Sequence, residues 1–161
     1  MSGDLENRLE QFPFEILEKG KALGDLTIVV SREKISEVLR FLRDAEGYRF
    51  DLLVDLSAVD FPNREERFEV IYHLYSTSEN HRLRVKVRLP FEEPMIDSAT
   101  DLWKAANWYE REVYDMFGIR FNGHPNLKRL LLPDGFEGHP LRKDYPMGKR
   151  QKIPVPVEVP S

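Results

Sequence analysis

Two nine-residue segments, FEVIYHLYS (Phe68–Ser76) and HRLRVKVRL (His81–Leu89), restrict the fold of this chain more than any other part of it. In the first, Phe68, Val70, Tyr72 and Leu74 alternate with Glu69, Ile71, His73 and Tyr75. In the second, Leu83, Val85, Val87 and Leu89 alternate with Arg82, Arg84, Lys86 and Arg88. A period of two sends successive side chains to opposite faces of a strand. Pairing Tyr75 with Arg82 turns both apolar rows to one side and sets Glu69 opposite Arg88, an attractive cross-strand pair. A slip of one residue would carry the cations into the core. The sequence therefore demands an antiparallel hairpin in this register, with a dry face and a basic face.

Other elements follow from local signals. After a short N-terminal helix, FEILEKGKALGDLTIVVS reads as two strands about a glycine-containing turn. Ile35, Val38, Leu39 and Leu42 mark one face of a helix, with Ser31 placed to cap its start and Gly47 where a left-handed stop costs little. FDLLVDLSAVDF reads as a buried strand running into the turn PNREE. Ser98 with Asp101 makes a capping-box pattern for a second helix, whose stripe is Leu102, Ala106, Tyr109, Val113 and Met116/Phe117, ending near Gly118. The order is an α+β fold, a mostly antiparallel sheet with two main helices packed on it.

Beyond Gly118 the periodicity fades. Seven of the eleven prolines fall after residue 120, and the residues before Pro125, Pro133, Pro140 and Pro146 favour extended backbone. The predicted organisation is an α/β body over residues 1–120 and an extended, proline-rich C-terminal strap over 121–161. The final KRQKIPVPVEVPS reads as polyproline-like tail. So long an irregular segment is expected to lie against something.

Composition narrows the chemistry. There is no cysteine, which removes disulfides, thiolate zinc sites, a cysteine nucleophile and cysteine-ligated iron–sulfur clusters. No apolar run reaches the roughly 18–20 residues of a membrane helix, and the N-terminus lacks the layout of a signal peptide. The first 120 residues carry seventeen Lys/Arg against twenty-four Asp/Glu, and the remainder seven against four, so a modestly basic end follows an acidic body. That is too weak a basic stripe for nucleic acid.

The densest collection of reactive side chains runs from Tyr109 to Pro146. His124 and His139 each sit in a Gly-His-Pro triplet, but their separation is not a metal-ligand spacing. Each imidazole is expected to bond a neighbouring backbone group or carboxylate and pin a turn. Glu110 and Glu112 lie about 200° apart on a helix and cannot share one small pocket. Arg111 and Asp115, four apart, are expected to pair on the surface. Glu110, beside the apolar stripe, is expected to reach a cation in the strap or on a partner. LRKDY lacks the glycine-rich loop of a phosphate site. The row Arg82, Arg84, Lys86 and Arg88 is either a solvated strand face or a surface for an acidic partner. Structural ion pairs and a binding role fit these residues better than catalysis.

EREVYDMFGIRFNGHPNLKRLL and GFEGHPLRKDYP, within residues 108–146, resemble the signature of the C-type subunits of NADH-quinone oxidoreductase, a family of peripheral-arm components of respiratory complex I. The resemblance implies a chain with no catalytic residues, cofactor or metal of its own. FMN and iron–sulfur clusters would sit on other subunits, and electrons would pass from NADH to quinone with proton translocation. It implies packing on the D-type subunit, the large neighbour that helps to form the quinone cavity. It also implies peripheral attachment to the cytoplasmic side of a cell inner membrane through partners, with no direct membrane span. Glu110, Arg111, Glu112, Asp115, His124, Lys128, His139, Arg142, Lys143 and Asp144 become the expected partner-docking residues. Many family members continue past the equivalent of RKDYP and some are fused to the D-type neighbour, so a shorter reach over partners is expected here. Similar subunits serve complexes fed by ferredoxin, coenzyme F420 or hydrogen. The reading from a different class is a free-standing hydrolase using Glu110, Asp115 and His124.

Overall fold

The computed structural model describes residues 2–151. Helix α1 (Ser2–Glu10) precedes the hairpin β1 (Glu18–Ala22) and β2 (Asp25–Val29), then α2 (Ile35–Asp44). Strands β3 (Leu52–Asp60), β4 (Phe68–Ser76) and β5 (His81–Leu89) follow, then β6 (Met95–Asp97), α3 (Ala106–Phe117) and β7 (Arg120–Asn122). The main sheet runs β1-β2-β5-β4-β3, antiparallel except where β2 and β5 pair in parallel. The fold is α+β.

The hairpin register is the one that the alternation demands: Tyr75 opposes Arg82 and Glu69 opposes Arg88. Leu26, Ile28, Val70, Tyr72, Leu74, Leu83, Val85 and Val87 share one core with Leu5 and Leu9 of α1, Ile35, Val38, Leu39 and Leu42 of α2, and Ala106, Val113 and Phe117 of α3. The Ser31 hydroxyl accepts the Glu33 N–H at 3.3 Å, capping the 3-10 turn Arg32–Lys34 that feeds α2.

Three expectations are corrected. Helix α3 starts at Ala106 and not at Ser98, because Ser98–Ala105 forms turns that bury Trp103, whose indole N–H donates to the Phe50 carbonyl at 3.2 Å. β3 is not a buried strand. It is an edge with an irregularity between Leu53 and Asp55, and Leu52 and Val54 are exposed. The loss of regular structure after Gly118 is interrupted by β7, which pairs in parallel with β6. From Gly123 to Gln151 the strap has neither helix nor strand. The polyproline-like tail expected from residue 152 onward lies outside the described residues.

Candidate functional site

The strap is fastened to α3, and the hub of that attachment is Asp115. The Asp115 side chain is fully buried, and its Oδ2 accepts the backbone N–H groups of Leu130, Leu131 and Leu132 at 3.1, 2.8 and 2.9 Å. Its Oδ1 accepts from Arg129 Nη1 at 2.9 Å. Burial alone would push this carboxyl up, but the amides of Leu132 and Leu131, Arg129 and the amide of Leu130 outweigh it and hold the group below the usual carboxylate range. Arg111 therefore does not pair with Asp115. The strap has taken the carboxylate, and Arg111 instead donates to the carbonyls of Lys128 and Arg129 at 3.2 and 3.1 Å.

Both histidines do what a pin requires. Asn126 N–H donates to His124 Nδ1 at 3.0 Å, which leaves the proton on Nε2 to donate to the Asn107 carbonyl at 3.1 Å. His139 Nδ1 donates to the Asp115 carbonyl at 2.9 Å, at the open C-terminal end of α3. Arg142 Nε caps the same end through the Phe117 carbonyl at 2.6 Å, and its guanidinium lies 5.4 Å from the centroids of both Phe68 and Phe91.

A second anchor lies at the end of β3. Buried Asp60 takes Arg67 in a two-point grip, at 2.6 and 2.9 Å, and also accepts the Lys143 N–H at 2.6 Å. Asp144 reaches Arg67 at 3.2 Å. The far strap folds back on itself: Gln151 exchanges bonds with the Glu137 backbone at 2.8 and 2.6 Å. Sequence reasoning did not single out Asp60, Arg67 or Arg129, and it took Ser98 for a helix cap when its hydroxyl holds Glu110. For Asp60 and Arg67 the available signal was opposite charge at the two ends of one turn. Arg129 carried none.

Gly118 is where body and strap come closest. Its φ of +74° closes α3, and a Cβ there would stand 2.7 Å from His139 Cδ2 and 2.8 Å from Arg142 Nη2. Both side chains are already fastened, so neither moves freely. Gly118→Ala is expected to lower unfolding stability by about 2–3 kcal/mol, combining left-handed strain with a displaced clamp. Denaturant titration would show the midpoint falling at unchanged slope.

Among the described residues Glu110 meets no cation. It is buried, accepting the Ala99 N–H at 2.6 Å and the Ser98 hydroxyl at 2.7 Å, and it thereby holds the turn before α3. Burial raises its pKa to about 7, against the opposing pull of those two donors. Glu112, Lys128 and Lys143 expose their side chains. The basic row is largely neutralised from within: Lys86 sits 2.8 Å from Glu69, Arg88 sits 2.7 Å from Glu18, and Arg84 sits 3.9 Å from Asp25. Thus Glu110, Asp115 and His124 each bond to different groups and do not form a shared reactive centre. Among the described residues no cluster of three or more His, Asp or Glu is placed to hold a metal, and no helix is long and apolar enough to cross a membrane.

The model of the family described as "Respiratory-chain NADH dehydrogenase, 30 Kd subunit" matches residues 28–151. The chain belongs to this family. A relative from Rhodobacter capsulatus, named as the C-type subunit of NADH-quinone oxidoreductase, is 53% identical over 137 residues, covering 85% of this chain and 68% of that protein. The solved trypsin-resistant fragment (1–134) of Nqo5 is 37% identical with a TM-score of 0.64, covering 77% of this chain and 99% of that one. A chain in the structure of the membrane-bound sulfane sulfur reductase, an archaeal respiratory membrane complex, is 30% identical with a TM-score of 0.74, covering 89% and 84%. The residues matched by the family model, 28–151, include the whole of the α3–strap clamp.

Proposed function

We propose that this 30 Kd-type subunit serves as a cofactor-free scaffold in a proton-translocating NADH:quinone oxidoreductase. It packs on the D-type subunit, and residues 121–161 form its docking segment. Donor oxidation, FMN, iron–sulfur clusters and quinone reduction belong to other chains, and this one reaches the cytoplasmic side of the inner membrane only through them. The observation that carries this reading is the fate of the signature's polar groups. Asp115, Arg111, His124, His139 and Arg142 bond to backbone of the strap and of α3, which is how a rigid recognition surface is made. Glu112, Lys128 and Lys143 are left on the outside to meet a partner.

A hydrolase built on Glu110, Asp115 and His124 finds no support in groups that bond to separate places. The second reading is the equivalent subunit of a related membrane complex with another donor, favoured by the likeness to the sulfane sulfur reductase chain. Pull-down of a tagged chain from native membranes in mild detergent tests both. The expected result is co-purification with the D-type subunit and iron–sulfur chains, together with NADH-dependent quinone reduction. Co-purification with reduction driven by ferredoxin, F420 or hydrogen selects the second reading. A chain that leaves the membrane alone, as a free monomer, overturns both.

A further inference from the structure

Trp108 is 60% exposed and Leu131 is 61% exposed, although both adjoin the bonds that fasten the strap to α3. Large apolar side chains on rigid mounts are the usual anchors of protein interfaces, and Trp and Arg lead among them. Here the mount is Arg111. Its guanidinium lies 5.1 Å from the centroid of the Trp108 ring while its N–H groups hold the carbonyls of Lys128 and Arg129. Two residues further on, the Leu131 N–H is held by Asp115 at 2.8 Å. One guanidinium and one carboxylate thus fix the indole of α3 and the leucine of the strap to a common frame, so docking would order little that is not already ordered.

We propose that Trp108, Arg111, Lys128 and Leu131 form the docking face for a sister chain of the respiratory assembly, one that offers an apolar pocket edged by carboxylates. This face rests on the scaffold role proposed for the chain and deepens it by naming the surface and the chemistry that meets it. Charge decides the occupant. Lys128 is exposed and has no ion pair among the described residues, while Arg111 spends its N–H groups on neutral carbonyls and keeps its charge. Exposed Glu112 offsets only part of this, leaving the face positive. Two copies of this chain meeting through the same face would set cations against cations. A partner with carboxylates around an apolar pocket meets both demands.

The chain has two tryptophans, and they differ sharply: Trp103 is 6% exposed and Trp108 is 60% exposed. Hydroxyl-radical oxidation read by peptide mass spectrometry should modify Trp108 and spare Trp103 in the free chain. In the detergent-solubilised assembly the rate at Trp108 is expected to drop about tenfold or more, as for a fully covered anchor. The double substitution Trp108→Ser and Leu131→Ser should reduce the tagged chain recovered in the assembly by about tenfold, whereas Met147→Ser, at a fully exposed strap residue, should not. Melting of the free variants checks folding, and the footprint on the unaltered protein decides if one of them fails to fold. Trp108 oxidising equally in the free and assembled states overturns the proposal. So does a free chain that sediments as a dimer until Trp108 is replaced. An unaltered chain that enters no assembly overturns the scaffold role and this face with it, a failure distinct from an assembly that forms with Trp108 still open.

Discussion

Asp115→Ala is expected to release the strap from a body that stays folded, raising tryptic cleavage at Lys128, Arg129, Arg142 and Lys143 about a hundredfold. Four donors lose at once the carboxylate that holds them: three consecutive backbone N–H groups and the Arg129 guanidinium N–H that faces it. Were they to remain docked, the cost would be about 3–5 kcal/mol, the penalty for stripping one partner from a buried charged network. The strap has a cheaper response, which is to peel away and rehydrate those donors. The loss is then limited to the free energy that held it down, and the sheet keeps its own core. Thermal unfolding of the body should therefore move less than cleavage does. Asp115→Asn should fall between, because one carbonyl oxygen remains for the amides while the new NH2 faces the Arg129 donors. Equal digestion patterns for Ala and wild type would show that the clamp lies elsewhere.

The same bonds set a response to acid. The Asp115 carboxyl is held below its unfolded value, so its contribution is complete above that value and fades as pH falls through the folded one. The Asp60 carboxyl is also held low, burial being outweighed by Arg67 and the Lys143 amide. Strong acid should thus detach the strap at two points together, both through carboxylates that must be ionised to accept from it.

How much of this the sequence discloses depends on the range of the interaction. The β4–β5 register was legible to the residue because one wrong step would bury four cations. The end of α3 near Gly118 and the core face of α2 were legible because both are set by residues a few positions apart. The start of α3 was not. Ser98 has a capping residue's chemistry, but it spends its hydroxyl on Glu110, twelve positions away. β7 has three residues, and it pairs with β6, across the whole of α3. The Arg111–Asp115 pair failed for the same reason: helix spacing predicts neighbours, and it cannot foresee a strap arriving with better donors. That Arg111, Asp115, His124, His139 and Arg142 belong together was readable from residue types and from the family resemblance, whereas which acid grips which amide was not.

Glu110→Gln is expected to remove a pH dependence that the unaltered protein shows between pH 4.5 and about 7. In that window the native carboxyl keeps a proton that the unfolded chain has released, because burial opposes ionisation more strongly than the Ala99 and Ser98 donors favour it. The native state therefore binds more protons, and stability falls as pH rises through the window, levelling off above it. At about 1.4 kcal/mol per pH unit the full effect is about 3 kcal/mol. Glutamine imitates the protonated acid, since its oxygen can still accept from Ala99 N–H and its amide can donate to Ser98 Oγ. The variant should match wild type near pH 5 and exceed it by about 2–3 kcal/mol at pH 8, as read by chemical denaturation at each pH. Buried His81 and half-buried His73 and His139 have lowered pKa values and pull the other way, losing stability as pH falls, so the difference between the two proteins is the quantity to follow. Parallel stability curves from pH 5 to 8 would mean that Glu110 stays ionised in the fold. With the predicted divergence, Glu110-Arg111-Glu112 resolves into three separate tasks. Glu110 is an internal latch for the turn that starts α3, Arg111 is the bracket that holds the strap, and Glu112 is left at the surface. A run that reads as one acidic–basic cluster in the sequence is divided by the helix period among core, clamp and exterior.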